Sequence, residues 1–239
     1  DRYASIAQLI RDARTYAKDD KSIILAAYLK PFREGKREKA LPAARLLMGS
    51  IVSNGATHLL TGENQTALTQ GYYSDYTKFS DSEAEAIRRY YDYMIRYENL
   101  FFDPELQDVT MTHTGWDNYE YQCTSHKVSS YGEAGKIWMI LREKDYRKCI
   151  YLLNLCGQSE DYWNEGKEEP NIQKDIKFTV QVDTPVEKIC FSTPDGKNMD
   201  AVELLFTERA TRTGKFIDFT VPSLNYWTTI WIDTRKETI

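Results

Sequence analysis

Three histidines and four cysteines are all that the 239 residues offer to metal or thiol chemistry. Cys123, Cys149, Cys156 and Cys190 form no C-x-x-C pair and have no histidine at ligand spacing, so a metal site is not expected. Three of them lie in apolar runs, "KCIYLLNLC" and "KICFS", where a thiol packs as a small hydrophobe, and buried thiols are expected rather than disulfides. Glycine is sparse at 12 residues, and neither G-x-G-x-x-G nor G-x-x-x-x-G-K-[ST] occurs, which removes two phosphate cradles and leaves no cofactor implied. No apolar run approaches the roughly 18 residues that a membrane-spanning helix needs. A signal peptide is equally missing. The net charge is -5 with Lys and Arg scattered, so the basic stripe that grips nucleic acid is missing too.

Aromatic residues are what the chain has in quantity, with 17 Tyr and 5 Trp. Such rings fill cores, or they present a flat apolar face with a polar tip to a ligand. Trp138, Tyr151, Trp163, Tyr226 and Trp227 are expected in packing, within the strand-rich half or at its boundary with the first half.

The hydrophobic period divides the chain. Residues 3–18 place Ile6, Leu9, Ile10, Ala13, Tyr16 and Ala17 at helical spacing. The run "SIILAAYL" (22–29) predicts a strand buried on both faces. A helix follows from Pro42, which suits a first turn, to Gly55, a suitable C′ residue. "THLLT" (57–61) predicts a second buried strand. A third helix starts at the capping box "SDSE", carries Ile87, Tyr91, Met94, Tyr97 and Phe101 on one face, and must stop before Pro104. This alternation is the tail of an α/β array. Two buried strands are too few for a stable parallel sheet, so further strands are expected upstream or from a partner chain.

From about residue 108 short strand candidates such as "KIWMILRE", "DIKFTVQVD" and "YWTTIWIDT" alternate with turn clusters such as "TPDGKN", the pattern of an antiparallel sandwich. The expected division is therefore α/β over residues 1–107 and all-β over residues 108–239.

In α/β sheets ligands bind at the carboxyl ends of strands. That rule selects "YLKPF" and "GENQTALTQGYYSDY", the second a long loop of the kind that usually binds something. Tyr28, Lys30, Glu63, Asn64, Tyr72, Tyr73 and Asp75 are the candidates for a pocket wall. Equally, Glu63 would only cap backbone and the tyrosines only fasten the loop. His58, inside the second strand, is expected to be structural, and His113 and His126 have no nucleophile elbow beside them. A pair of carboxylates would suit a metal-free, aromatic site, since glycoside hydrolysis needs only an acid and a base or nucleophile. Glu63 is the lone strand-end carboxylate in the first half.

At this point "IILAAYLKP", "GATHLLTGEN", "GYYSDYTKFSDSEAEAIRRYYDYMIRYENLFFD", "IYLLNLCGQSEDYWN" and "VPSLNYWTTIWID" together resemble the C-terminal part of glycoside hydrolase family 66, the dextranases and cycloisomaltooligosaccharide glucanotransferases. The resemblance implies the last strand-helix units of a (β/α)8 TIM barrel, followed by an antiparallel Greek-key β-sandwich. It implies action on α-1,6-glucan (dextran and isomaltooligosaccharides) with retention, by an Asp nucleophile and a Glu acid/base. Both are expected upstream of Asp1, which leaves no catalytic residue here, with Glu63 the fallback. Glu63 and Asn64 would bind sugar hydroxyls, Tyr72 or Tyr73 would stack on a glucose face, and Tyr28 and Lys30 would line the same cleft. The upstream barrel is then the chain's own partner. Passage through "SNGAT" with no inserted module favours a dextranase over a cyclising enzyme, and the polymeric substrate implies an extracellular or cell-surface location. The competing expectation is a non-catalytic carbohydrate-binding or structural module centred on residues 108–239.

Overall fold

The structure, a computed structural model, describes residues 1–17, 21–70, 77–115 and 117–235. The first half runs α1 (Tyr3–Ala17), β1 (Ile24–Leu25), α2 (Lys30–Arg33), α3 (Arg37–Ser53), β2 (Thr57–His58), β3 (Thr61–Gly62), β4 (Thr66–Ala67), β5 (Thr77–Lys78), α4 (Asp81–Arg96) and α5 (Glu98–Phe101). β1 and β2 pair in parallel, Ile24 opposite Thr57, with α2 and α3 forming the crossover between them.

Helix boundaries follow local chemistry. The Ser80 hydroxyl accepts from the Glu83 backbone N–H while the Glu83 carboxylate accepts from the Ser80 N–H, the reciprocal box that opens α4. α3 ends on Gly55 at φ +88°, with Gly55 N–H donating to Val52 O and Ala56 N–H to Ile51 O, a Schellman closure. Its start differs from expectation. α3 begins at Arg37, so Pro42 stands inside it and forfeits the hydrogen bond to the Glu38 carbonyl. The additional turn is held from outside, by the fully buried Ala40 and by Lys39, which pairs with Glu168 at 2.6 Å.

The second half runs β6 (Gln107–Asp108), β7 (Tyr121–Cys123), β8 (Val128–Ser129), β9 (Ile137–Lys144), β10 (Arg147–Asn154), β11 (Gln173–Val182), β12 (Val186–Ser192), β13 (Val202–Leu204), β14 (Phe206–Thr211), β15 (Gly214–Leu224) and β16 (Trp227–Thr234). They form two sheets, ordered β13-β12-β16-β10-β9-β6 (with β8 beside β9) and β14-β15-β11-β7, antiparallel apart from the β8–β9 pair. Ile137, Met139, Leu141, Ile150, Leu152, Ile230 and Ile232 of the first sheet meet Ile176, Phe178, Val180, Ile217, Phe219 and Val221 of the second, which makes the sandwich core.

The first sheet is buried on its other face as well. Trp138, Ile140, Cys149, Tyr151, Leu153, Trp227 and Trp231 point toward the helices and share one core with α1, α3 and α4. This explains why β9 and β10 carry unbroken apolar runs and why every residue of β16 is buried. Gly49 lets α3 approach that face; a Cβ there would stand 2.7 Å from Leu153 Cδ2 and 3.1 Å from Trp227 Cγ.

The seam is polar where it must be. Arg142, almost fully buried, donates to the Phe101 carbonyl at the end of α5 and to the Leu106 carbonyl just before β6, and the Tyr151 hydroxyl donates to Leu100 O. Along α4, Tyr90 donates to Asp195 Oδ1 at 2.6 Å, Tyr93 to Ser192 O at 3.0 Å and Tyr97 to Met199 O at 2.6 Å. Asp195 also accepts from the Tyr226 and Trp227 backbone N–H groups at 2.9 Å, and burial holds its carboxyl above the usual range. The cysteines are free thiols, Cys149 and Cys190 buried. Among the described residues no helix is long and apolar enough to cross a membrane.

Candidate functional site

In a strand-helix unit the helix begins where its strand ends, so the carboxyl ends of β1 and β2 share a side with the starts of α2, α3 and α4. Tyr28 and Lys30 follow β1. Leu29, fully buried, is the N-cap of α2, which leaves Tyr28 half-buried in the turn and sets Lys30 as the first helical residue. The Lys30 ammonium pairs with Glu165, and its backbone N–H donates to Asn164 O at 3.3 Å.

After β2 the structure corrects the expectation of a structureless loop. β3, β4 and β5 form a small antiparallel sheet, Gly62 opposite Thr66 and Ala67 opposite Thr77. Glu63, Asn64 and Gln65 make its first turn, Asn64 and Gln65 at φ +55° and +60°, a left-handed pair that asparagine tolerates better than most residues. Thr66 Oγ1 donates to Glu63 O at 2.5 Å and Phe79 N–H to Gln65 O at 2.8 Å. Glu63 and Asn64 therefore stand exposed on a braced hairpin tip. Tyr72, Tyr73 and Asp75 lie outside the described residues.

The two strand-end segments touch. Phe79 packs edge-on to Phe32 at 5.4 Å, Thr77 Oγ1 donates to Phe32 O at 2.9 Å, and Arg37 joins Lys78 O to the Glu83 carboxylate. Below the hairpin lies a cleft of about 480 Å³ lined by Thr61, Gly62, Gln65, Phe79, Asp81, Glu85, Arg88 and Tyr91. That volume admits a small ligand. Its lining includes none of Tyr28, Lys30, Glu63 or Asn64, so the structure brings these four to one end of the α/β layer without joining them in this cleft.

His58 is fully buried, with Nε2 2.9 Å from Ala27 O and Nδ1 without a partner among the described residues. Burial pushes its pKa down to about 4, so the ring is neutral and holds β2 to the end of β1. Among the described residues the His113 and His126 rings hydrogen-bond the neighbouring Thr112 and Ser125 hydroxyls, and His113 also lies against the Tyr121 ring. No cluster of three metal-ligating side chains exists among the described residues.

Within residues 157–171, the connection from β10 to β11, sequence reasoning read "GQSED" as a turn cluster and "NEGKEEPN" as a charged loop, and gave neither a part in the site. Lys167, almost fully buried, is the centre of this connection: Nζ donates to Glu160 Oε1 at 2.7 Å, Tyr162 O at 2.5 Å and Glu165 O at 3.1 Å. Burial draws its pKa down. The signal was the run "NEGKEEPN", whose one lysine among acids reads as a solvated loop but closes on itself.

Taken together, the molecule is a parallel α/β layer packed on an antiparallel sandwich, with loops from both halves at the strand ends. The sequence profile of Glycosyl hydrolase family 66 matches residues 1–231, and the chain belongs to that family. Two cycloisomaltooligosaccharide glucanotransferases of Niallia circulans are 28% identical over 193 residues and 26% identical over 191, covering 80% and 79% of this chain. The chain spans about 19% of the length of each. A crystal structure of Paenibacillus sp. cycloisomaltooligosaccharide glucanotransferase complexed with cycloisomaltoheptaose superposes with a TM-score of 0.70 at 21% identity, over 87% of this chain and 27% of that one, which shows a common fold.

Proposed function

We propose that the complete protein acts on α-1,6-glucan as an endo-dextranase-like glycoside hydrolase with retention, and that residues 1–107 are the last strand-helix units of its (β/α)8 barrel. The observation that carries this is the family match over residues 1–231, with exposed Glu63 and Asn64 at the carboxyl end of β2, where such sheets bind ligands. The nucleophilic Asp and acid/base Glu would come from chain outside residues 1–239. Retention requires the two carboxyl groups about 5–5.5 Å apart, and Glu63 is the single carboxylate in the turn of Glu63, Asn64 and Gln65. Its role is then to hydrogen-bond glucose hydroxyls together with Asn64. Tyr28, Lys30, Tyr72 and Tyr73 complete the wall, and a polymeric glucan places the enzyme outside the cell or on its surface.

The direct test is turnover of dextran by the complete protein, with products sized by chromatography. Linear isomaltooligosaccharides support hydrolysis. Cyclic products support transglycosylation, the second reading, which the names of the relatives favour and the three-residue passage Asn54, Gly55, Ala56 between α3 and β2, with no inserted module, does not. Glu63→Gln is expected to raise KM for isomaltooligosaccharides about tenfold, the loss of one charged hydrogen bond. Unchanged affinity and turnover would remove Glu63 from the site.

A further inference from the structure

Residues 157–171 belong to the sandwich, yet they bond to the α/β layer along the side where its strands end. Tyr3 N–H donates to Asp161 O and Trp163 N–H to Asp1 O, both at 3.0 Å, so residues 1–3 and 161–163 run as a short antiparallel bridge at the start of α1. The same strap meets the start of α2 through Lys30 and the start of α3 through Lys167 N–H, which donates to Lys39 O at 3.1 Å. Since α1 runs opposite to β1, the starts of all three helices lie toward the carboxyl end of the parallel strands. A strap fixed there lies on the side of the α/β layer where strand-end ligands bind.

It is also rigid enough to do so. A buried ammonium with three oxygen partners is costly to assemble and tolerates few alternative conformations. On this frame Tyr162 is 41% exposed, and the Arg2 guanidinium lies over its ring 5.3 Å from the centroid. The guanidinium is itself paired with Asp161 at 2.5 Å, so ring and cation are fixed together on the strap, and the exposed part of the ring with its hydroxyl has the character of a sugar platform: apolar surface with a few placed polar groups.

We propose that the strap is the sandwich's contribution to the glucan site, and that Tyr162 with Arg2 forms an outer subsite for a glucosyl unit remote from the bond being broken. This rests on the α-1,6-glucan reading above. Tyr162 is a binding residue in this scheme, and Lys167 and Glu165 are positioning residues for it.

The experiment compares the complete protein with Tyr162→Ala and Tyr162→Phe on dextran and on isomaltotriose. Tyr162→Ala is expected to raise KM for dextran about 3- to 10-fold, the effect of losing one aromatic platform, with kcat unchanged and isomaltotriose kinetics unaffected. Tyr162→Phe should restore most of the dextran KM. An unchanged dextran KM, or an equal loss on both substrates, overturns the subsite and leaves the enzyme reading standing. Failure of the unsubstituted protein to turn over either glucan overturns both.

Discussion

The runs "SIILAAYL" and "KCIYLLNLC" look alike, and the protein treats them differently. The second becomes β10, in which six of eight residues are buried because helices cover one face and the second sheet covers the other. The first yields a strand of two residues, with Ile24 63% exposed and Leu59, just past β2, 45% exposed. An apolar run states that a segment suits burial on both sides. Whether it is buried depends on what the rest of the fold brings to each side.

The contrast can be broken from the covered side first. Trp227 packs against Tyr90, Tyr93 and Phe101 with ring centroids 4.9–5.9 Å away, so Trp227→Ala should cost about 3–5 kcal/mol in denaturant unfolding. A loss below about 1 kcal/mol would mean that the shared core is not tightly packed. The next effect belongs to His58, which ties the two open strands together. Its pKa is lowered to about 4 against an ordinary 6.5, so the unfolded chain takes up the proton first as pH falls. The stability it permits is whole above pH 6.5 and is lost toward pH 4, by about 3 kcal/mol. Asp195, whose carboxyl is raised by burial, works in the other direction: it favours the folded state as pH falls through its raised value. The comparison is therefore between the protein and His58→Gln, whose stability curve should lack that fall between pH 6.5 and 4. Parallel curves would remove His58 as the cause. The smallest effect sharpens the contrast most: Ile24→Ser should leave the stability of residues 1–239 within about 0.5 kcal/mol, as expected of an exposed side chain. Under the barrel proposed above, further strands cover Ile24 in the complete protein, and the same change should cost about 2 kcal/mol.

Much of this was legible in the sequence, for identifiable reasons. The "SDSE" box and Gly55 set helix ends through local hydrogen bonds, and local chemistry can be read one residue at a time. The antiparallel sheets followed from strands long enough to show a period. The hairpin at Glu63 was missed because two-residue strands have none, although the left-handed pair Asn64 and Gln65 made a turn there reasonable. On α4 the expected stripe through Ile87 and Tyr91 was half of the picture. Tyr90 and Tyr93 add buried rings beside that stripe, and their hydroxyls, with that of Tyr97 from the stripe itself, end on Ser192 at the close of β12 and on the β12–β13 connection, which no periodicity could reveal. The strap was invisible for the same reason, since its partners lie more than 100 residues away in the chain.

The first sheet of the sandwich, packed on both faces, constrains how this architecture can be inherited. Neighbouring residues of β9, β10 and β16 answer to different cores, so a substitution at Trp138 is felt by the helices and one at Met139 by the opposite sheet. Cutting the chain between the halves would uncover Trp138, Tyr151, Trp227 and Trp231 at once, a continuous aromatic surface prone to self-association. The strand-rich half is thus poorly suited to life as a transferable module. Its gene segment should travel, duplicate and diverge only in company with the helices it supports.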